Sequence, residues 1–310
     1  MGQGLCLNHS ANGENIMSYK TTTPLDWLIR YALYPLLLVY MLVYAWFEVS
    51  GHTSELGEDR GMYLLILISI MLIIEISHPL RKEWRMTRSS FLKRDIPFML
   101  IGGVTVLFTQ YIGLEIILWI GLLRGESHLS MPLIPAVLLV LLITDFFWYW
   151  IHRWSHEARG PLGRWLWKMH VAHHLPQQVY MFMHGVAHPV NTLIVRIIFT
   201  VPLFFLGFST EAIFVASLVT GLQGLVSHFN VDCRAGWLNY ILIGAETHRY
   251  HHSASIDEAQ NYASTITLWD MLFGTFVYKP DKLPSKLGVT NPAQYPGDRQ
   301  LIKILMMPFK

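Results

Sequence analysis

Histidines at short, regular spacings are the residues of this sequence whose types and positions could do chemistry. The chain has 310 residues and 15 histidines, and three groups of histidines have helical spacing. These groups are His152 with His156; His170, His173 and His174; and His248, His251 and His252. Residues three and four apart share a helix face, so each group is expected to present its imidazoles in one direction. Imidazole suits iron, zinc, copper and nickel, and this many histidines predict a site for two metals.

The elements that must position these histidines are apolar. Hydrophobic residues make up 53% of the chain and charged residues 14%, against about 25% charged in a typical soluble domain. With a net charge of +2, this composition excludes a disordered protein and a basic nucleic-acid binder. Two cysteines are too few for a disulfide framework or an iron–sulfur cluster.

Six apolar runs have lengths near the 20 residues or so that a helix needs to cross a membrane. They are Trp27–Phe47, Met62–Ile76, Ile96–Leu123, Met131–Ile151, Val190–Phe208 and Ala212–Val226. The sequence therefore predicts an all-α integral membrane protein of four to six transmembrane helices, with a cytoplasmic helical cap that carries a histidine-rich two-metal site.

The charges of the loops predict the orientation. Residues 81–95 carry six basic and two acidic side chains, whereas the loop between the first two runs has four acidic residues and one arginine, Arg60. The positive-inside rule places residues 81–95 in the cytoplasm. Counting spans onward puts residues 152–188, His228 and the chain beyond Asn239 on the same side. No signal peptide is recognised, and a bacterial inner membrane is the expected location.

The histidine groups, together with the strings around them, resemble the fatty acid hydroxylase / sterol desaturase superfamily of integral membrane non-haem di-iron oxygenases. The strings lie at residues 145–150, 152–156, 170–174, 188–191, 224–231, 248–252 and 261–276. They are specific as a set, and the likeness covers roughly residues 140–280. The His-Pro string at 188–191 favours the sterol desaturase branch.

The resemblance implies two iron ions, O2 as co-substrate, and hydroxylation or desaturation of an unactivated C–H position of a membrane lipid. It also implies an external electron-donor protein, because the sequence has no haem, flavin or iron–sulfur domain. The implied metal ligands are His152, His156, His170, His173, His174, His188, His228, His248, His251 and His252. His184 competes with His188 for one of these places.

Residues that support the ligands are also predicted. A ligand imidazole usually donates its second N–H to a carboxylate, a carbonyl or water. Asp145 and Asp270 are the strongest candidates, because each lies in apolar sequence where an unpaired acid would be costly. For Asp270 a helix or turn cap is the alternative. Asn191 is a further candidate for this supporting role.

The chain is expected to divide into four parts: a polar segment 1–26, membrane helices 27–130, the catalytic domain 131–280 and a tail 281–310.

Two other functions compete with the oxygenase. One is a divalent-metal transporter or sensor with a cytoplasmic histidine cluster, and the other is a bis-histidine haem electron carrier. Transporters place ligands inside their spans, whereas no histidine lies in the middle of a predicted span, so the oxygenase is favoured.

Overall fold

The computed structural model describes residues 6–9, 15–18, 23–124 and 129–310, and most of this part of the chain is helical. In chain order its α-helices are α1 (Pro24–Tyr31), α2 (Leu33–Val49), α3 (Arg60–Ser77), α4 (Arg88–Ser90), α5 (Ile96–Arg124), α6 (Leu133–Glu157), α7 (Gly160–His174), α8 (Pro189–Leu206), α9 (Thr210–Ser227), α10 (Ala245–His251), α11 (Leu268–Leu272) and α12 (Leu301–Leu305). A π-helical turn, Phe91–Asp95, joins α4 to α5.

Within the described residues, five helical segments are long and apolar enough to cross a membrane. They are Arg60–Ser77, Lys82–Gly113, Leu133–Glu157, Pro189–Leu206 and Thr210–Ser227. The bent pair α1–α2 would make a sixth if it is one span. The prediction of a helical, multi-pass membrane protein is confirmed.

The first predicted span, Trp27–Phe47, is not one straight helix. It bends by 55° between α1 and α2. The carbonyl of Arg30, just before the bend, accepts a hydrogen bond from the backbone N–H of Arg234, and the Arg30 guanidinium lies 3.1 Å from the carboxylate of Asp232. The chain bends where this buried arginine is held by the loop that follows α9.

The helix that carries the first histidine group continues beyond its predicted membrane end. Helix α6 runs to Glu157, and Ala158 then adopts a left-handed conformation with φ 49°. Gly160, with φ +65°, begins α7. Two left-handed residues so close together reverse the chain sharply, and α7 packs back against α6. This reversal brings the histidines of the two helices face to face.

Helix α9 lies at the centre of the packing. One buried apolar cluster joins it to the first three helices, through residues such as Tyr34, Leu67 and Leu222. A second cluster joins it to α6 and to the far end of α8, through Ala216, Val140 and others. Helix α8 packs mainly against α5. The bundle therefore consists of two groups of helices, and α9 contacts both.

The fold departs from an all-α expectation in one small element. Strands β1 (Cys6–His9), β2 (Asn15–Ser18) and β3 (Lys282–Leu283) form an antiparallel sheet in that order. Apolar periodicity could not indicate these strands, because each is short and β3 is distant in sequence from its partner. The polar segment 1–26 lies partly outside the described residues.

Candidate metal centre

Nine histidines come together in two groups, and in each group the candidate ligand nitrogens lie within 4.8 Å of one another. The first, here called group A, consists of His152, His156, His170, His174 and His251. The second, group B, consists of His173, His228, His248 and His252. The structure thus brings together nine of the ten histidines that the sequence analysis selected.

Each histidine triplet contributes to both groups, so the expectation that a triplet points in one direction is wrong. In α7, His170 and His174 belong to group A, whereas His173 belongs to group B. At the end of α10 the division is reversed, and the middle member, His251, belongs to group A. Consecutive side chains, such as those of His173 and His174, point about 100° apart around a helix, which lets one helix serve two positions.

The ring nitrogens within each group approach one another at a distance that suits a shared ion. In group B, Nε2 of His228 lies 3.0–3.2 Å from the Nε2 atoms of the other three histidines. In group A, Nε2 of His170 lies 2.8 Å from that of His152 and 3.0 Å from that of His174. Imidazole nitrogens that each lie about 2.1 Å from one metal, at right angles, are about 3 Å apart.

Backbone carbonyls orient four of these imidazoles through Nδ1. The pairs are His152 with Tyr262 at 2.6 Å, His251 with Gln260 at 2.8 Å, His173 with Val186 at 3.1 Å and His228 with Gly224 at 3.0 Å. A carbonyl can only accept, so each of these Nδ1 atoms carries the proton. The other nitrogen, Nε2, then presents a lone pair toward its group.

The contact between His173 and His228 shows that group B fits a cation. Both rings donate through Nδ1 to a carbonyl, so their Nε2 lone pairs face each other at 3.0 Å. Two acceptors at that distance repel each other unless a proton or a metal lies between them. Burial disfavours the extra proton, because it lowers the pKa of both imidazoles. A metal ion would satisfy both lone pairs, and the donor set suits one.

Burial keeps the histidines outside the membrane helices neutral. It lowers the pKa of His173 to about 4, mainly because the charged form is poorly solvated there. Burial, reinforced by neighbouring imidazoles, also holds other pKa values well below the ordinary value; these belong to His170, His174, His228, His248, His251 and His252. Neutral imidazole is the form that binds metals.

The two predicted carboxylates act on the loop that faces group A. Asp145 accepts hydrogen bonds from the backbone N–H groups of residues 264–266. Asp270 accepts from the N–H groups of Tyr262 and Ala263. The carbonyl of Tyr262 is the one that accepts from His152. Both acids therefore support the imidazoles through the backbone, instead of accepting an imidazole N–H directly, and Asp270 resembles the turn cap named as its alternative.

A second support, which the sequence analysis did not assign, holds the chain beside His228. The carboxylate of Glu75 accepts from the backbone N–H groups of Asn230 and Met181, at 2.8 and 2.9 Å. The buried guanidinium of Arg249 donates to the two carbonyls that flank Asn230 in the chain, at 2.9 and 2.7 Å. A carboxylate inside an apolar run was the available signal for Glu75, and a cation between metal-binding histidines was the signal for Arg249.

His188 lies outside both groups. Its Nδ1 accepts from the backbone N–H of Val190 at 3.2 Å, which makes it the N-cap of α8. Its Nε2 contacts the carbonyl of Leu305 at 3.1 Å. The His-Pro string therefore starts a helix here: proline is favoured in the first turn, and the residue before it caps the helix.

His184 and Asn191 lie at the edge of the centre. The His184 ring is 5.7 Å from that of His228, centroid to centroid, and it is exposed. The Asn191 side chain lies beside His170, where hydrogen bonding partly offsets the effect of burial on the pKa of that imidazole. Neither residue belongs to groups A or B.

Comparison with known proteins shows a likeness in the part of the chain that carries the histidines. Residues 137–275 match the model of the fatty acid hydroxylase family, and this range contains all nine clustered histidines. The match covers less than half of the chain, and over that part the chain resembles the fatty acid hydroxylase family. No solved structure matches it.

Three named proteins are similar to this chain. The ornithine lipid hydroxylase of Rhizobium tropici is 28% identical over 88% of this chain and 83% of its own length. A very-long-chain aldehyde decarbonylase of Oryza sativa subsp. japonica is 29% identical over 74% of this chain and 80% of its own. Methylsterol monooxygenase 1 of Rattus norvegicus is 33% identical over 44% of each chain. The likeness to the hydroxylase and the monooxygenase is consistent with a membrane oxidoreductase of the monooxygenase type.

Proposed function

We propose that this protein is an O2-dependent hydroxylase of a membrane lipid, with two irons held by groups A and B. One observation carries the proposal: nine imidazoles, most of them buried, converge on two adjacent positions, and His173 and His228 direct lone pairs at each other. The proposed ligands are the nine members of the two groups, without His188. The proposal favours hydroxylation over desaturation, because relatives in this family carry the names hydroxylase and monooxygenase.

Iron is the proposed metal because the donor set and the family agree on it. An all-imidazole set accepts several divalent metals, and the family resemblance favours iron among them. When bound, a pair of irons supplies the reduction of O2 and the oxidation of a C–H bond. The protein's part is to hold nine neutral imidazoles at fixed angles and to exclude bulk water from them.

The surrounding residues give that fixed geometry. The carbonyls of Tyr262 and Gln260 orient His152 and His251 in group A. The carbonyls of Val186 and Gly224 do the same in group B. Second contacts of this kind fix the tautomer and the ring orientation of metal ligands. Most of the nine rings are buried, so little reorganisation is needed when metal binds.

The proposed substrate is a bacterial membrane lipid, either at its head group or along its acyl chain. The relative named an ornithine lipid hydroxylase aligns with most of this chain, including the membrane helices before residue 137. That long alignment supports a related lipid substrate. The metal-transporter alternative finds no support among the relatives named above.

The proposal also covers the source of the electrons and the side of the membrane on which the site lies. Reduction of O2 needs an external electron-donor protein. The six basic residues between positions 81 and 95 support a cytoplasmic position for this end of the bundle, and for the histidines near it. A bacterial inner membrane fits the origin of the ornithine lipid hydroxylase.

Lipid analysis of cells that express matched variants tests the function. Wild type is compared with His173→Ala, which removes a group B ligand, and with His188→Asn, which keeps an N-cap side chain on α8. We expect a lipid species heavier by one oxygen atom with wild type and with His188→Asn, and its absence with His173→Ala. The same lipids with wild type and His173→Ala, at equal protein levels, would contradict the proposal.

A further inference from the structure

A cavity of about 670 Å³ lies beside the metal centre, and part of the basic loop that follows α3 forms one of its walls. Residues from four stretches of the chain line it: 81–84, 175–178, 284–289 and 292–299. Its walls are partly apolar, and three cations line it, Arg81, Lys286 and Arg299. It is called the basic cavity below.

The backbone around the basic cavity is connected to both histidine groups. Leu175, in its wall, directly follows His174 of group A. Gly288, from the stretch 284–289, donates its backbone N–H to the carbonyl of His252 of group B at 3.0 Å. The cavity is therefore only one or two residues of backbone away from a candidate ligand of each metal.

Arg81 links the basic cavity to the segment beside His228. Its backbone N–H donates to the side-chain oxygen of Asn230 at 3.0 Å, and its carbonyl accepts from the Asn230 amide at 2.9 Å. The Arg81 side chain is buried, and its Nη1 lies 2.8 Å from the carboxylate of Glu83. Its Nε has no hydrogen-bond partner among the described residues. The guanidinium therefore has a donor left for an anion.

The basic cavity carries more positive than negative charge. Lys286 is exposed, and in the described part of the chain it pairs with no carboxylate. Arg299 is exposed too, with Asp298 at 3.9 Å. The two acids in the wall are already paired, Glu83 with Arg81 and Asp298 with a buried arginine. A negatively charged group is the occupant that these charges favour.

The chain between the basic cavity and the histidines is tightly packed at Gly288. A Cβ on this residue would lie 3.3 Å from Cγ of Gln177 and 3.7 Å from the carbonyl oxygen of His174. Its φ of +107° also favours glycine. Packing this close leaves no passage for a lipid at this point, whereas transfer of an electron needs proximity and no passage.

We infer that the basic cavity is the docking site of the electron-donor protein, and that this partner is an acidic one-electron carrier; the inference rests on the proposed function. A carboxylate of the partner lies between Lys286, Arg299 and Arg81. Insertion of one oxygen atom of O2 into a C–H bond, with release of the other as water, consumes two electrons and two protons. The reduced carrier therefore docks and is oxidised twice in each turnover, and the protons come from solvent. Opposite charges make such repeated encounters fast.

Equilibrium binding of an oxidised, acidic [2Fe–2S] ferredoxin to the iron-loaded, detergent-purified protein tests the docking separately from catalysis. Basic cytochrome c is the probe of opposite charge. One variant combines Lys286→Glu with Arg299→Glu, and another, Glu83→Gln, removes an acid from the cavity. Arg164→Glu is the control, because Arg164 is exposed on α7 and does not line the cavity. Iron content is measured on every preparation.

We expect the double variant to bind ferredoxin about ten-fold more weakly than wild type at low ionic strength, because charge reversal slows association. Glu83→Gln should bind it more tightly than wild type, and Arg164→Glu should bind it as wild type does. These differences should shrink at about 1 M salt, where the Debye length is about 3 Å. Cytochrome c should not bind wild type more tightly than the double variant.

Equal ferredoxin affinities for wild type and the double variant, or an equal loss in Arg164→Glu, would overturn the inference. No ferredoxin binding to wild type would also overturn it. So would a double variant that loses only the binding of phosphatidylglycerol added to the micelles, because the cavity would then be a lipid site.

The rate at which reduced ferredoxin reduces the bound iron is the second readout, and it should fall together with the affinity. An equal rate in wild type and the double variant would overturn the inference, even if lipid oxidation proceeds and the proposed function stands. Charge-dependent docking and iron reduction without lipid oxidation would leave the inference standing and count against the proposed function alone.

Discussion

The carboxylate of Glu75 accepts a hydrogen bond at 2.8 Å from the backbone N–H of Asn230, two residues beyond His228. The two residues are 155 positions apart in the chain. Arg249 holds the same short segment from its carbonyl side. A carboxylate at the end of a membrane helix and a cation between two metal-binding histidines together fix the position of one imidazole.

Replacing Glu75 by alanine should therefore weaken group B. The change leaves two buried N–H groups without an acceptor, at a cost of about 1–3 kcal/mol each. We expect less iron bound per chain in Glu75→Ala. Glu75→Gln keeps an acceptor oxygen and should retain most of the iron. Metal analysis of both variants at equal purity checks this, and equal iron content in Glu75→Ala and wild type would refute it.

Asp145 should be needed for stability and for the shape of group A. Its carboxylate accepts from the backbone N–H groups of residues 264–266 and from the hydroxyl of Ser264. An asparagine side chain at this position would turn an amide N–H toward one of these donors. We expect Asp145→Asn to lower the free energy of unfolding by about 2–4 kcal/mol. Thermal unfolding in detergent measures it, with exposed Asp257→Asn as the control, and equal midpoints for the two variants would argue against the role.

Much of the fold could be predicted from the sequence, because a bilayer imposes simple rules. Five predicted spans appear as helices at nearly the predicted positions, since an apolar run of that length has few other ways to satisfy its backbone. The bend at the first span could not be predicted. It depends on contacts of Arg30 with Asp232 and with the backbone of Arg234, about 200 residues away in sequence.

The histidine spacing predicted the residues of the centre better than their arrangement. Helical spacing shows that His170, His173 and His174 are near one another, but it does not show that the middle one serves the other group. The family motif implies that His188 is a metal ligand. In the structure His188 instead caps α8, because it precedes a proline in the first turn of the helix. The positions of Glu75 and Arg249 in the sequence were unusual for charged residues, but the spacing of the histidines could not show which backbone groups they bind.

The metal-free protein should lose stability in mildly acid solution. Burial lowers the pKa of His173 to about 4 in the folded protein, whereas an unfolded histidine has a pKa of about 6.5. The folded state therefore binds fewer protons, and the stability that depends on a neutral imidazole is complete above about pH 6.5 and is lost as the pH falls toward 4. Unfolding midpoints of metal-free protein between about pH 7.5 and pH 4 measure the trend, and bound metal should reduce it. Midpoints that do not fall over this range would contradict the burial of neutral imidazoles.

Gly224 should be required for the close packing of α9 against His184. A Cβ at this position would lie 2.3 Å from Cε1 of His184, so Gly224→Ala must push that ring aside. We expect Gly224→Ala to lower the midpoint of thermal unfolding in detergent. Gly221→Ala is the matched control, because its Cβ would meet open space. A midpoint in Gly221→Ala as low as that in Gly224→Ala would contradict this packing role.

The central claim is that nine histidines hold two coupled irons, and metal analysis of the purified protein with Mössbauer spectroscopy of iron-57-grown cells tests it most directly. The account predicts close to two irons per chain, magnetically coupled, in wild type and in His188→Asn. It predicts a loss of iron in His251→Ala and in His248→Ala, which remove one ligand from group A and one from group B. One iron per chain, uncoupled irons, or zinc alone after anaerobic purification with iron available would contradict the account.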